Sequence, residues 1–306
     1  MKLVRARKFT YVLSALLILV SIGSLLFYGL ELGIDFTGGS ILEGEFSAKG
    51  GATYGGSGRP EIFQVQEKIN SLNFGAILIQ PTGEKGILVK TRSLSEEEHQ
   101  QVLKALSILG EFKEFRFDSI GPTIGKELRT RSVYATILVL VAIILYIAFA
   151  FRKVSRPVSS WFYGLAAVVA LFHDIFIPIG LFSALGHFKG VEIDTLFVTA
   201  ILTVLGFSVH DTIVVFDRIR ENLKKPGVLA ESFEETVGKS LSQTLARSIN
   251  TSLTVLIVLV ALYFLGSPST KYFSLALIIG IIAGTYSSIF IASPLLVTWN
   301  NWRSKK

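Results

Sequence analysis

Six apolar runs divide this sequence, at roughly residues 9–30, 133–151, 158–185, 195–216, 245–265 and 272–297. Each reaches about 20 residues or more, the length at which a helix spans the hydrocarbon core of a bilayer. Lipid offers no water to an unpaired backbone N–H or C=O, so runs this long and without alternation are helices. The expected fold class is therefore a polytopic α-helical membrane protein with six transmembrane helices. Half of the 306 residues are hydrophobic and only 17% are charged, as that class requires.

The charges that remain have a pattern. Lys and Arg number four before the first run, three in Arg152 to Arg156, five from Arg218 to Lys239 and three after Trp302, whereas the alternate short loops carry only Lys189 and Lys271. Under the positive-inside rule this places both termini in the cytoplasm; the long loop after the first run is left out, because long translocated segments do not obey the rule. The net charge of +7 is thus a topological signal, not a nucleic-acid signature. Lys2, Arg5, Arg7 and Lys8 before the first run imitate a signal peptide, but the apolar core is too long and no small-x-small site follows, so a retained anchor is expected.

The sequence then falls into three parts: residues 1–30, a cytoplasmic N-terminus and first span; 31–130, an extracytoplasmic domain on the periplasmic side; and 131–306, a five-helix transmembrane bundle with a cytoplasmic C-terminus. Within the middle part a strand is expected near 38–46, and glycine-rich residues around Gly50 read as a flexible insertion. A helix from Pro60 with Ile62, Val65 and Ile69 on one side follows, then strands at 76–80 and 86–91 split by the turn PTGE. Ser95 and Glu98 form a capping box that opens a second helix running to Leu109, and a strand at 114–120 completes β-α-β-β-α-β. That order is the ferredoxin-like α+β arrangement. Residues 121–130, GPTIGKELRT, are expected to turn the chain back toward the membrane.

Ionisable groups inside the spans carry the functional argument. An ionisable side chain at the bilayer centre costs roughly 2.5–3.5 kcal/mol on insertion scales, so it faces other helices or a water-filled path and marks function by default. In the third run His173 and Asp174 lie near mid-membrane, and Pro178 removes the N–H that would bond the Asp174 carbonyl, which should bend the helix. His173 alone serves equally as a structural histidine or a relay. In the fourth run the 3.6-residue period puts Asp211 on a stripe with Val204, Val215 and Arg218, and His210 about 100° away with Thr203 and Asp217. Arg218 and Arg220 read as interface anchors, with Asp217 accompanying them.

In the fifth run Gln243, Thr244, Arg247, Asn250, Thr251 and Thr254 make one polar stripe. An arginine cannot be deprotonated, so Arg247 inside the bilayer needs a carboxylate, backbone oxygens or water, and Asp211 stands at a suitable depth; snorkelling to the interface is the alternative. The sixth run places Ala276, Gly280, Gly284, Ser288 and Ala292 at four-residue spacing, a face for close helix packing within this chain or on a partner. The chain has no cysteine, which excludes disulfides and thiolate chemistry. No HExxH pair exists, and Ser208 and His210, two residues apart on a helix, point apart. Neither an enzyme nor a bound metal or cofactor is expected.

The strings GIDFTGGS at 33–40, HD in the third run, GFSVHDTIVVFDRIREN at 206–222 and SLSQTLARSINTSLT at 240–254 together resemble the SecD/SecF family of protein-export membrane subunits, within the resistance-nodulation-division superfamily. The resemblance covers nearly the whole chain. It implies a SecD-like partner related by pseudo-twofold symmetry, the SecYEG translocon and exported preproteins as further partners beside membrane lipid, and residence in the bacterial inner membrane. It implies also that the proton motive force drives the export step. By position, Asp211 falls on the family's span-four acid and Arg247 on its span-five arginine; movement of one toward or away from the other would switch the acid between holding and releasing a proton. The expected proton-coupling set is Asp211, Arg247, Asp174, His210, Asn250 and Thr251. Two departures stand out: His210, where Asn is more usual, and the insertion near Gly50. A stand-alone proton-coupled exporter of the same superfamily and a passive scaffold subunit remain as alternatives.

Overall fold

The computed structural model describes residues 4, 6–47, 59–151, 158–225 and 232–304; the glycine-rich stretch around Gly50 and the cations Arg152 to Arg156 lie outside them. The chain separates into two compact units, Met1–Glu31 with Tyr134–Lys306, and Leu32–Val133.

The helical unit contains α1 (Arg7–Tyr28), and the chain then passes into the α/β unit through a single turn, α2 (Ile34–Thr37). The expected order follows: β1 (Gly39–Phe46), α3 (Ile62–Asn70), β2 (Leu78–Thr82), β3 (Gly86–Thr91), α4 (Glu96–Ser107) and β4 (Phe112–Ile120). The sheet order is β2-β3-β1-β4 with every neighbouring pair antiparallel, the topology of the split βαβ arrangement. Alternation along β1 and β3 turns Leu42, Phe46, Ile87 and Val89 toward Val65 and Ile69 of α3 and Val102 and Leu106 of α4. The capping box forms as expected: Ser95 Oγ accepts from the Glu98 N–H and the Ser95 N–H donates to Glu98 Oε2. Arg92 adds a fork on the same carboxylate, at 3.0 and 2.5 Å, and together with the backbone N–H it holds the Glu98 carboxyl well below its ordinary 4.5, at about 2.

Residues 122–130 are not a turn. They are the first turns of α5 (Pro122–Ala150), a helix that runs from the α/β unit into the helical unit. Proline is favoured at a first helical position because its missing N–H has no partner there anyway. Gly125 and Gly38, which suggested a loop, instead permit contact: a Cβ on Gly38 would lie 2.7 Å from Pro122 Cα, and one on Gly125 would lie 2.8 Å from the Gly38 N. Gly38 also sits at φ +77°, where side chains are rarely accommodated.

The helical unit continues with α6 (Ser160–Lys189), α7 (Thr195–Leu223), α8 (Phe233–Leu265), α9 (Pro268–Ser287), one π turn (Ser288–Ala292) and α10 (Ser293–Arg303). The last three form one long span, and among the described residues six helices are long and apolar enough to cross a membrane. Pro178 lies inside α6 without interrupting it. The small residues of α9 meet α7 in this same chain: a Cβ on Gly280 would lie 2.2 Å from Val204 Cγ2, and one on Gly284 would lie 3.0 Å from Ser208 Cβ. On the other side, Gly180 of α6 leaves room for Ser21 of α1, which a Cβ would approach to 2.3 Å. The π turn precedes Pro294, which cannot bond the Phe290 carbonyl four residues back; Thr10 Oγ1 of α1 lies 3.2 Å from that oxygen.

Candidate functional site

The helical period delivers Asp211 inward as the sequence predicts. Val204, Asp211 and Val215 are buried, whereas Thr203, His210 and Asp217 are exposed. Asp174 on α6 is fully buried. Both carboxylates therefore sit among α6, α7, α8 and the α9–π junction, and their partners are hydroxyls. Ser248 Oγ of α8 donates to Asp211 Oδ1 at 2.6 Å, and Ser288 Oγ of the π turn donates to Asp211 Oδ2 at 2.6 Å. Asp174 Oδ2 accepts from Ser208 Oγ of α7 at 2.5 Å and from Ser287 Oγ at 2.7 Å. Its Oδ1 lies 2.9 Å from Nδ1 of the adjacent His173. One turn of helix along, Ser252 and Thr285 pair hydroxyl to hydroxyl at 2.5 Å.

A serine hydroxyl has one donor and two acceptor positions, so it can donate to a carboxylate or turn and accept from a carboxylic acid. The cluster can thus satisfy Asp211 in either protonation state without moving a helix, which a guanidinium, a donor in every orientation, could not do. Ser287, the last residue of α9, and Ser288, the first of the π turn, are neighbours in the chain about 100° apart around the helix, and one serves Asp174 and the other Asp211.

The contact expected between Arg247 and Asp211 is not made. Arg247, Asn250 and Thr251 are exposed, and the buried stripe of α8 is Ser240, Thr244, Ser248 and Ser252. Small hydroxyl side chains at four-residue spacing let α8 approach α7 and α9, which a guanidinium on that face would prevent. His210 is exposed as well, so of the expected set only Asp211 and Asp174 come together. Of the four serines that hold them, Ser288 was marked in the sequence only as a packing residue and Ser208 only as a rejected partner of His210; Ser287 and Ser248 were not singled out, although the regular spacing from Ser240 to Ser252 was a signal for Ser248. Toward the C-terminal end of α7, Asn222 Nδ2 donates to Ser240 Oγ and Gln243 Oε1, and Arg218 Nε donates to Gln243 Oε1 at 2.7 Å, which fixes α7 against α8. Arg220 pairs with Asp217 one turn back. Among the described residues no group of three His, Asp or Glu side chains is placed to hold a metal.

Similarity to known proteins points the same way. The family described as "Protein export membrane protein SecD/SecF, C-terminal" matches residues 100–302, and the "SecD/SecF GG Motif" matches residues 23–47, which include Gly38 and Gly39. The protein translocase subunit SecF of Thermobaculum terrenum is 47% identical over 305 residues, covering 98% of this chain and 94% of that one. The protein translocase subunit SecF of Anaerolinea thermophila is 40% identical over 284 residues, covering 90% and 87%. A crystal structure of SecDF, a translocon-associated membrane protein from Thermus thermophilus, matches with a TM-score of 0.81 at 31% identity, over 98% of this chain and 39% of that longer one. SecDF in its super-membrane-facing form matches at 0.65 and 33%, over 100% and 39%. The chain thus spans about two fifths of the SecDF chains it matches.

Proposed function

The chain belongs to the SecD/SecF family of protein-export membrane proteins and is a subunit of the Sec protein translocase, and on that premise we propose that it couples the proton motive force to preprotein export through Asp211. The observation that carries this reading is a buried carboxyl group whose partners are two neutral hydroxyls from different helices. Asp211 exchanges a proton with water, Asp174 shares its serine cluster, and Arg247 is the charge that approaches or withdraws in another conformation. A unit charge falling through 100 mV contributes about 2.3 kcal/mol, enough to bias two conformations by roughly fiftyfold.

The exposed polar stripe supports a partner. Arg247, Asn250 and Thr251 on α8 and His210 on α7 lie on the surface of a unit that spans lipid, where an uncovered guanidinium is costly. A SecD-like subunit covers this face and brings Arg247 into the working complex, which also docks on the SecYEG translocon. The SecDF chains, of which this one matches 39%, have ample length for such a sister. Both termini lie in the cytoplasm and the α/β unit outside the bacterial inner membrane, a reading that the cation placement supports.

The test is export into inverted membrane vesicles with and without a proton gradient. Asp211→Asn keeps the shape and removes the titration, so it should retain complex assembly and lose the stimulation by the gradient. A variant that responds to the gradient like the parent removes Asp211 from the mechanism, and one that fails to assemble favours a scaffold role.

A further inference from the structure

His173 has no part in the coupling described so far, yet it is one of the most enclosed polar side chains of the helical unit, 1% exposed. Its Nδ1 lies 2.9 Å from Asp174 Oδ1, and the other oxygen of Asp174 is taken by Ser208 and Ser287. An ionised Asp174 accepts from all three, which requires the proton of a neutral His173 to be on Nδ1. Nε2 is then a bare lone pair, and it has no hydrogen-bond partner among the described residues. A buried polar atom left unpaired calls for a reason, because burial without a partner costs free energy.

The surroundings do not supply that partner. The ring stacks on Tyr286 with centroids 5.8 Å apart, but the Tyr286 hydroxyl donates to the Thr10 carbonyl at 3.1 Å and accepts from Ser14 Oγ at 3.2 Å. The titratable groups that face His173 are Asp174 on its own helix, Tyr286 on α9 and, through the serines, Asp211 on α7. Tyr11 of α1 is turned to Thr298.

We propose that His173 and Asp174 form a second protonatable station in the membrane core, with Nε2 of His173 the atom that takes up the proton. This rests on the reading of Asp211 as the gradient-linked acid. In the step itself hydronium gives its proton to the Nε2 lone pair and becomes water, one N–H bond forms, and Nδ1–H stays on Asp174. The pair passes from neutral imidazole with carboxylate, one negative charge, to imidazolium with carboxylate, no net charge. Loading the station therefore removes a negative charge close to Asp211. The two communicate through Ser287 and Ser288, adjacent in the π-turn region, and through Ser208, one turn before Asp211.

The experiment uses the chain in complex with its native partner subunits, reconstituted in proteoliposomes with nitrogen-15 histidine. Solid-state NMR follows the imidazole nitrogens from alkaline to acidic buffer, and His173→Asn, which keeps an amide donor near the Nδ1 position, identifies the His173 signals by their loss. The expected result is conversion of His173 from the Nδ1–H tautomer to the doubly protonated ring within the pH range where the complex exports, and loss of one limb of the pH profile of gradient-driven export in His173→Asn. A His173 that stays singly protonated at every working pH overturns the proposal, as does a variant profile that superimposes on the parent's. If His173→Asn does not fold, the signals that persist when the other three histidines, His99, His187 and His210, are replaced by Asn identify His173, and its titration in that background decides. Asp211→Asn measured alongside separates the two readings: loss of gradient response there, with an inert His173, removes only the second station.

Discussion

In the α/β unit Leu42, Phe46, Val65, Ile69, Ile87, Val89, Val102 and Leu106 fill the centre, while between α6, α7, α8 and α9 a cluster of serines and two aspartates lies buried beside apolar residues such as Val204, Leu205 and Ile281. The difference follows from the solvent. A domain in water gains about 25 cal/mol for each Å² of apolar surface it buries. Helices in lipid gain little by that route, because the tails are as apolar as leucine, and they associate through close packing of small residues and hydrogen bonds. A buried cluster of hydroxyls costs a membrane bundle little and can carry ionisable groups, so at this place the packing of the unit and its chemistry use the same residues.

Changes in the apolar core should have the largest effect. Leu106→Ala deletes a fully buried side chain and should destabilise the α/β unit by about 2–5 kcal/mol, read by hydrogen exchange of the whole chain, with α6 and α7 protected as before. Next comes Gly280→Leu, which forces a side chain into the 2.2 Å space against Val204; overpacking of this kind costs about 1–3 kcal/mol and should lower the thermal midpoint of the helical unit in detergent. Ser248→Ala is expected to do far less to stability, on the order of 0.6 kcal/mol, the average for interhelical hydrogen bonds in a membrane, while it alters the gradient response because Asp211 Oδ1 loses its donor. A large loss of fold on Ser248→Ala would break the contrast between the two cores.

The smallest effect concerns pH in the α/β unit. The Glu98 carboxyl, ordinarily near 4.5, is held at about 2 in the folded state, so its fork with Arg92 stabilises fully above the ordinary value and is lost as pH falls from 4.5 toward 2. The pair is exposed, so the change is slight. Hydrogen-exchange protection at the start of α4 should decline in that window, and Glu98→Gln should weaken the dependence and leave the smaller part that Glu96 and Glu97 carry.

The α/β unit was legible because local rules decide it: the capping box at Ser95, the alternation in β3 and the turn before it each act within a few residues. Its error at 122–130 arose where Gly121, Pro122 and Gly125 signalled a loop; those residues start a helix, and Gly125 serves a contact with Gly38 that is distant in sequence. In the helical unit the inward face of α7 was legible from the period alone. The inward face of α8 was not. Its two polar stripes lie side by side, and polarity draws attention to Arg247 and Asn250, whereas burial against α7 and α9 is decided by small size and neutrality and selects Ser248 and Ser252. The π turn that begins at Ser288 had only Pro294 as a sign.

If Asp211 carries the proton, proton movement depends on it. The chain and its partner subunits are reconstituted in liposomes that enclose a pH-sensitive dye, and proton flux under an imposed gradient is followed for the parent, Asp211→Glu and Asp211→Asn. Flux is expected in the parent, reduced flux in Asp211→Glu and none above empty liposomes in Asp211→Asn, if Asp211 carries the proton. Flux in Asp211→Asn equal to that of the parent contradicts that role.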